Sequence, residues 1–534
     1  MSEYDYQLNL KNLFPAALWE HPDQEIVYRE ISRYRLKEFY DRDGRLASAL
    51  SEIGVKPGDK VAVLDWDTNR YLEAYYAIPM MGAILHTVNI RYPPELIFYT
   101  MQHAEDKYVI VSDEFLPLLE KTANLFSFIK GWVVHSDTNK DVKTSLYKSY
   151  GYEDLLKSQE PYDFPDLNEN TTATIFYTSG TTGLPKGVTF THRQLVLQAS
   201  ANALIGTKAP FHLNEKDVYM SLVPMFHVHS WTMPYFILLT GNKYVLPGRF
   251  DVKRILELVK KEHITYSFMV PSILYMILTH PEIESYAKYL DGWKVSVGGS
   301  ALPKGLAQMA QKFGIYAIGG YGLSETCPVL TTSVFNRKVL DMKSEDERID
   351  YRIGTGLPLP FVNLRVVGTN GKDVAWDNSS IGEITVRAPW LTKGYYKDEE
   401  KTAELWRDGW LHTGDLSVVD SLGYLHIVDR EKDAIKSGGE FIPSLLLEDV
   451  ISLMPGTGEV AIVGKPDPKW GERPVVFLTR KGNLDAARVK GYLEEQVQSG
   501  RIQKWWAPDD IIFVDTMPKT STNKIDKKEL RKKL

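Results

Sequence analysis

The chain has 534 residues, 43% apolar and 25% charged, an ordinary globular composition with far too much chain for one core, so two or more domains are expected. Lys and Arg number 63 against 69 Asp and Glu, and the net charge of −6 is opposite in sign to that of a nucleic-acid binder. Small molecules or other proteins are therefore the expected partners. The single cysteine, Cys327, excludes a disulfide-stapled fold and a zinc finger.

In chain order, Met1 to Leu10 has neither a basic start nor an apolar run, so no signal peptide is expected and the cytoplasm is the expected compartment. Lys60–Leu64 (KVAVL) has strand character, Arg70–Met81 helical period, and Lys107–Val111 (KYVIV) strand character again. Ala173–Tyr177 is a further strand, and Arg254–Lys261 a helix. This alternation predicts βαβ units and mainly parallel sheets. Val218–Asn242 carries no charged residue and matches the roughly 20 residues that span a bilayer. It also holds Pro224, Pro234, His227, His229, Ser221, Ser230 and Thr232, so buried protein interior is expected and no transmembrane segment.

Beyond about Arg352 the texture changes. Gly354, Gly356, Pro358 and Pro360 punctuate short runs such as Leu364–Val367 and Glu383–Arg387, which predict a β-rich antiparallel subdomain. Asp429–Gly439 (DREKDAIKSGG) is a charged connector ending in glycines, and helix, strand, helix and strand signals follow it. A boundary near Arg430 divides the chain into 1–429 and 430–534, the second part being a small α+β domain.

Tyr177–Val188 (YTSGTTGLPKGV) is the densest chemical signal. It follows a strand and combines glycines, the hydroxyls of Thr178, Ser179, Thr181 and Thr182, and Lys186. Small residues let backbone N–H groups approach an anion, hydroxyls add donors and lysine adds charge, so a phosphate-holding loop is expected, although Gly/Ser/Thr runs at large are more often plain turns. Lys186 lies three residues after Gly183 and precedes Gly187, which is not the P-loop pattern. The chain has no G-x-S-x-G and no G-x-G-x-x-G after a strand, which removes esterase and dinucleotide readings.

The same run resembles the phosphate-loop signature of the adenylate-forming superfamily of acyl-CoA synthetases, luciferases and peptide-synthetase adenylation domains. Further motifs of that family follow in order: Gly320–Thr326 (GYGLSET), Gly382–Tyr395 (GEITVRAPWLTKGY), Trp410–Asp415 (WLHTGD), Asp429–Ile442 (DREKDAIKSGGEFI) and Pro518–Ile525 (PKTSTNKI). The resemblance implies an α/β fold with two α/β sheet subdomains and a β-rich subdomain in the large N-terminal domain, plus a small mobile α+β lid hinged near residues 430–432. It also implies ATP, CoA and a carboxylic acid as substrates and Mg²⁺ as cofactor, and leaves a homodimer open.

Site roles follow from the resemblance. Thr178, Ser179, Gly180, Thr181, Thr182, Gly183 and Lys186 would hold ATP phosphates. Glu325 with Thr181 would hold Mg²⁺, a hard cation that takes oxygen ligands. Tyr321 would offer a face to adenine, with Gly299, Gly319 and Gly320 leaving room for a planar ring, and Ser324 keeps a hydroxyl where many relatives carry Thr. Asp415 would accept from ribose, while Arg430, Lys432 and Lys436 would contact ribose or phosphate. Lys524 would bridge the carboxylate and the α-phosphate. Asn523 stands before it where the family has Gly, and Asn tolerates the left-handed backbone such a turn needs. After a rotation of the lid, Lys436 to Gly439 would replace Lys524, with Ser437, Gly438 and Gly439 along the pantetheine arm of CoA. The lysines and arginines around the C-terminus are expected on the solvated face of a terminal helix. Cys327 is expected to be packing rather than a nucleophile.

Substrate choice is expected in Val223–Gly241 (VPMFHVHSWTMPYFILLTG), which resembles the acyl-pocket region of fatty acyl-CoA synthetases. His227 follows Phe226 where amino-acid-activating relatives carry an Asp, so no counter-charge to a substrate ammonium is visible. His227, Val228 and Trp231 are the expected acyl contacts, Trp231 being either a tunnel gate or a core residue. The expected activity is AMP-forming ligation of a medium- or long-chain fatty acid to CoA. An aryl, short-chain or hydroxy acid:CoA ligase and a non-catalytic adenylate-binding protein are the alternatives.

Overall fold

The computed structural model describes residues 4–138, 142–178, 184–431, 434–437, 440–480, 482–520 and 523–534. The first sheet has seven strands in the order Ser149–Gly151, Gly131–His135, Asp106–Ser112, Lys60–Leu64, Ile84–Thr87, Thr172–Thr178, Lys186–Thr191. All pairs are parallel except the last, an antiparallel hairpin. A second sheet of nine strands is parallel across its centre, from Tyr316–Gly322 through Lys294–Val297, Tyr266–Met269, Val218–Ser221 and Lys243–Leu246 to Glu25–Tyr28. These are the two α/β units the alternation predicts, and the parallel strands are apolar because helices cover both faces.

Local chemistry explains where the helices begin. Asn69–Met80 starts on Thr68, whose side chain accepts from the Tyr71 N–H. His192–Gly206 starts on a reciprocal Thr191/Gln194 capping box, and Val252–Glu262 on Asp251. Val218–Asn242, the uncharged stretch, is a strand of the second sheet, a turn and the largely buried helix Met233–Thr240, which packs against the helix His192–Gly206. Among the described residues no helix is long and apolar enough to cross a membrane.

Asn363–Val367 and Gly382–Arg387 pair antiparallel, as the texture beyond Arg352 predicts, and Trp410–Val419 and Leu425–Arg430 extend that sheet. The C-terminal domain folds around its own sheet, in which the long strands Thr457–Asp467 and Gly471–Arg480 form a hairpin and Asp510–Phe513 adds in parallel. Its buried apolar clusters draw only on residues from Ala434 and Ile435 onward, and the clusters of the larger domain reach no further than Leu425.

The C-terminal tail meets the expected solvated helix in part: Lys528, Lys532 and Lys533 are exposed, whereas Lys527 and Lys519 are held in ion pairs. Its helix, Lys527–Arg531, is five residues long, and Lys527 pairs with Glu448 at 2.7 Å while Lys519 pairs with Glu459. These lysines fasten the tail to its domain because both partners are partly buried carboxylates.

Candidate active site

Three elements of the large domain converge where the parallel strands end. The hairpin Thr172–Thr178/Lys186–Thr191 makes Thr178 and Lys186 cross-strand neighbours. Lys186 Nζ lies 4.5 Å from the centre of the Tyr395 ring, and the Tyr395 hydroxyl donates to Glu325 Oε1 at 2.6 Å. Glu325 sits in the 3₁₀ turn Ser324–Thr326, whose exit is Cys327 at φ 65°. One tyrosine thus stands between the cation and the carboxylate.

The strand Trp410–Val419 supplies Asp415, which lies opposite Arg430 across the sheet. Asp415 Oδ2 accepts from the Tyr321 hydroxyl at 2.7 Å, and Oδ1 lies 3.1 Å from Arg430 Nε. The carboxylate reserved for ribose in the sequence reading is therefore already engaged by a phenol and a guanidinium on the cleft wall.

The C-terminal domain brings Lys524 to the same place. Thr520 N–H donates to the Lys524 carbonyl at 2.8 Å, and Asn523 adopts φ 63°, the left-handed conformation expected of it. Ser272 of the large domain donates to the Asn523 carbonyl at 2.5 Å. Burial and, after it, the Arg430 guanidinium lower the Lys524 pKa to about 8, against the opposing carboxylates of Asp415 and Glu325.

Thr178, Lys186, Gly299, Gly319, Gly320, Tyr321, Ser324, Glu325, Asp415, Arg430 and Lys524 all line one cleft of about 1880 Å³, together with His227, Val228 and Trp231. Ser179, Gly180, Thr181, Thr182, Gly183, Lys432, Gly438 and Gly439 lie outside the described residues. Lys436 is exposed, with its N–H on Glu472 at 3.0 Å, and Ser437 faces Arg473; neither lines the cleft in the orientation that holds Lys524 there, and their approach is expected only after the lid turns. One expectation is corrected, that of the space beside two glycines. That space is used by the chain itself: a Cβ on Gly319 would fall 2.2 Å from the Gly354 carbonyl oxygen, and one on Gly299, at φ +80°, would fall 2.9 Å from Lys524 Cε. Cys327 is fully buried, absent from the cleft wall, and its thiol is pushed up by burial, as packing predicts.

Trp231 packs edge-on against Phe268 at 5.4 Å, and Tyr266 and Phe211 continue the aromatic wall. His227 is held neutral, its pKa lowered to about 3 by burial and then by Lys524 and Arg91. Three features escaped the sequence reading. Arg91 lines the cleft beside His227, Tyr395 holds Glu325, and Val228–Thr232 forms a left-handed turn. Tyr395 closes a motif already recognised, so its position was a usable signal; Arg91 and the turn carried none.

The chain matches the family model described as AMP-binding enzyme over residues 14–396, and that of the AMP-binding enzyme C-terminal domain over 446–524. The chain belongs to the AMP-binding enzyme family. It is 38% identical to a long-chain-fatty-acid–CoA ligase of Thermus thermophilus, covering 99% of this chain and 96% of that one, and 34% identical to a medium-chain-fatty-acid–CoA ligase of Ectopseudomonas oleovorans at the same coverage. An anthranilate CoA ligase solved with anthranoyl-AMP superposes with a TM-score of 0.85 at 21% identity over 99% of this chain and 98% of that one, a likeness of fold. Fold and family together define an adenylate-forming ligase.

Proposed function

We propose that the protein is an AMP-forming fatty acid:CoA ligase whose acid is of medium or long chain. The carrying observation is a largely apolar acyl wall with no carboxylate on it: neutral His227, Val228 and Trp231, with Arg91 beside His227, lead to Phe268, Phe236 and Ile205 in the same cleft as Lys524. The ammonium of a cationic or zwitterionic tail would be desolvated there without a carboxylate partner.

In the first half-reaction a carboxylate oxygen of the acid forms a bond to the α-phosphorus of ATP as the bond to pyrophosphate breaks. The acid is already an ionised nucleophile, so alignment and charge neutralisation suffice. The Lys524 ammonium supplies the charge between carboxylate and α-phosphate, and Lys186 and Thr178 hold the outgoing phosphates. Asp415, Tyr321 and Arg430 form the nucleotide wall, where the ribose hydroxyls would donate to Asp415. Glu325, a hard oxygen donor beside the phosphate-loop hairpin, fits Mg²⁺, with Thr181 as the second donor. Mg²⁺ when bound supplies neutralisation of phosphate charge. In the second half-reaction the CoA thiol loses its proton and its sulfur attacks the acyl carbonyl, expelling AMP. The division at Arg430 and the rotation of residues 430–534 about 430–432 would then bring Lys436–Gly439 to the cleft in place of Lys524.

An ATP–pyrophosphate exchange panel with acids from C2 to C18 and with benzoate and cinnamate tests the reading. Exchange should be strongest with octanoate or longer acids. No exchange with any of them sinks the proposal, and a preference for the aryl acids replaces it with the aryl ligase.

A further inference from the structure

The helix Lys304–Gln311 of the large domain begins on Pro303, whose side chain offers no cap. Its first backbone N–H, that of Lys304, donates to Asp449 Oδ1 at 2.7 Å, and Asp449 belongs to the helix Ser444–Ser452 of the C-terminal domain. Arg501, also from that domain, lies 3.7 Å from Asp449 Oδ2. The next residue, Gly305, meets the end of the same partner helix: a Cβ there would fall 2.7 Å from the Ser452 carbonyl oxygen and 3.2 Å from its carbon. Gly305 is helical and not among the positive-φ residues, so any residue suits its backbone, and glycine is the poorer helix former. What requires glycine is the neighbouring domain.

A cap supplied within a domain persists in every orientation. A cap supplied from another domain exists only while the two are docked in this orientation, so its whole contribution biases the orientation equilibrium. Lys304, Gly305, Asp449 and Ser452 line the cleft that holds Lys524, and the docking they make accompanies the approach of Lys524 to Glu325 and Asp415.

We propose that Asp449 and Gly305 are positioning residues for adenylation, a latch that holds the small domain with Lys524 in the cleft and sets the balance against the orientation used for thioester formation. This rests on the two-orientation reading above. Neither residue is assigned contact with the reacting atoms; both act through the placement of Lys524.

The test measures both half-reactions on the full chain: octanoate-dependent ATP–pyrophosphate exchange, and octanoyl-CoA formation from preformed octanoyl-adenylate and CoA. Because both rates scale with the population of their own orientation, the readout is their ratio. Asp449→Ala should lower the ratio of adenylation to thioester formation about five-fold, the scale of a lost cap. Asp449→Asn, which keeps an acceptor for the Lys304 N–H, should leave the ratio within two-fold of the wild type. Gly305→Ala should lower it at least as far as Asp449→Ala while its Tm is unchanged or higher, since alanine favours the helix. A ratio unchanged in both Asp449→Ala and Gly305→Ala overturns the latch, as does equal loss of both steps. Lys524→Ala run alongside separates the two ideas: if it lowers adenylation alone while the latch variants leave the ratio fixed, only the latch fails; if it lowers both steps equally, the two-orientation reading fails.

Discussion

The ammonium of Lys524 is desolvated in the cleft and pressed by Arg430, and its pKa near 8 puts a titration within reach of ordinary assays. Adenylation needs the charged form, so kcat/KM for ATP in the exchange reaction should fall about ten-fold per pH unit above pH 8, since that quantity reports the free enzyme. A flat profile from pH 7 to 10 would separate Lys524 from the step. Cys327 makes the opposite kind of prediction. It is buried, its thiol is disfavoured as a thiolate, and Cys327→Ala should keep exchange activity within two-fold with a Tm lowered by a few degrees. An inactive variant of wild-type stability would revive covalent catalysis. Residue identities were legible in the motifs, because Tyr321, Glu325, Asp415 and Lys524 stand at recognisable spacings. Their mutual bonds were not. Nothing in the spacing of Tyr321 and Asp415 announces that the phenol donates to the carboxylate, or that Gly319 makes room for the Gly354 carbonyl instead of for a ring.

At the scale of elements, the turn Val228–Thr232 holds five consecutive non-glycine residues at φ between 46° and 63°. Left-handed backbone costs each of them roughly 1–2 kcal/mol. The segment survives because its polar side chains are fastened on every side. Ser230 donates to the Val223 carbonyl at 2.9 Å, His229 Nε2 meets Thr174 Oγ1 at 2.7 Å, Asn202 donates to Thr232 at 3.2 Å, and Thr232 donates to Gln198. Between these anchors Val228 and Trp231 face the cleft. Ser230→Ala should destabilise the protein by about 1 kcal/mol, the scale of one lost hydrogen bond since Ser221 still donates to the Val223 carbonyl, and raise KM for octanoate more than KM for ATP. Equal rises would detach the turn from acyl recognition. Strands and helices elsewhere were readable because β-rich runs, helical period and caps such as Asp251 act locally. This turn was not, since no glycine occurs from Phe226 to Thr240 and the strain is carried by partners distant in sequence.

At the scale of the molecule, the cores of the two domains are built from separate residues, and a few specific contacts hold them together: Asp449 on the Lys304 helix, Ser272 on Asn523, and Lys524 in the cleft beside Gly299. That division was legible from the connector at Asp429–Gly439, whereas the docked orientation depends on contacts between surfaces more than 100 residues apart in sequence. In this docked orientation Lys524 lines the cleft and Lys436 and Ser437 do not. We propose that Lys524 serves the first half-reaction only. The most direct measurement compares Lys524→Ala with the wild type in octanoate-dependent ATP–pyrophosphate exchange and in octanoyl-CoA formation from preformed octanoyl-adenylate. The account predicts a loss of at least about 100-fold in exchange, the scale of one preorganised charge donor, with thioester formation within two-fold of the wild type. Equal loss in both, or exchange that survives the substitution, would contradict it.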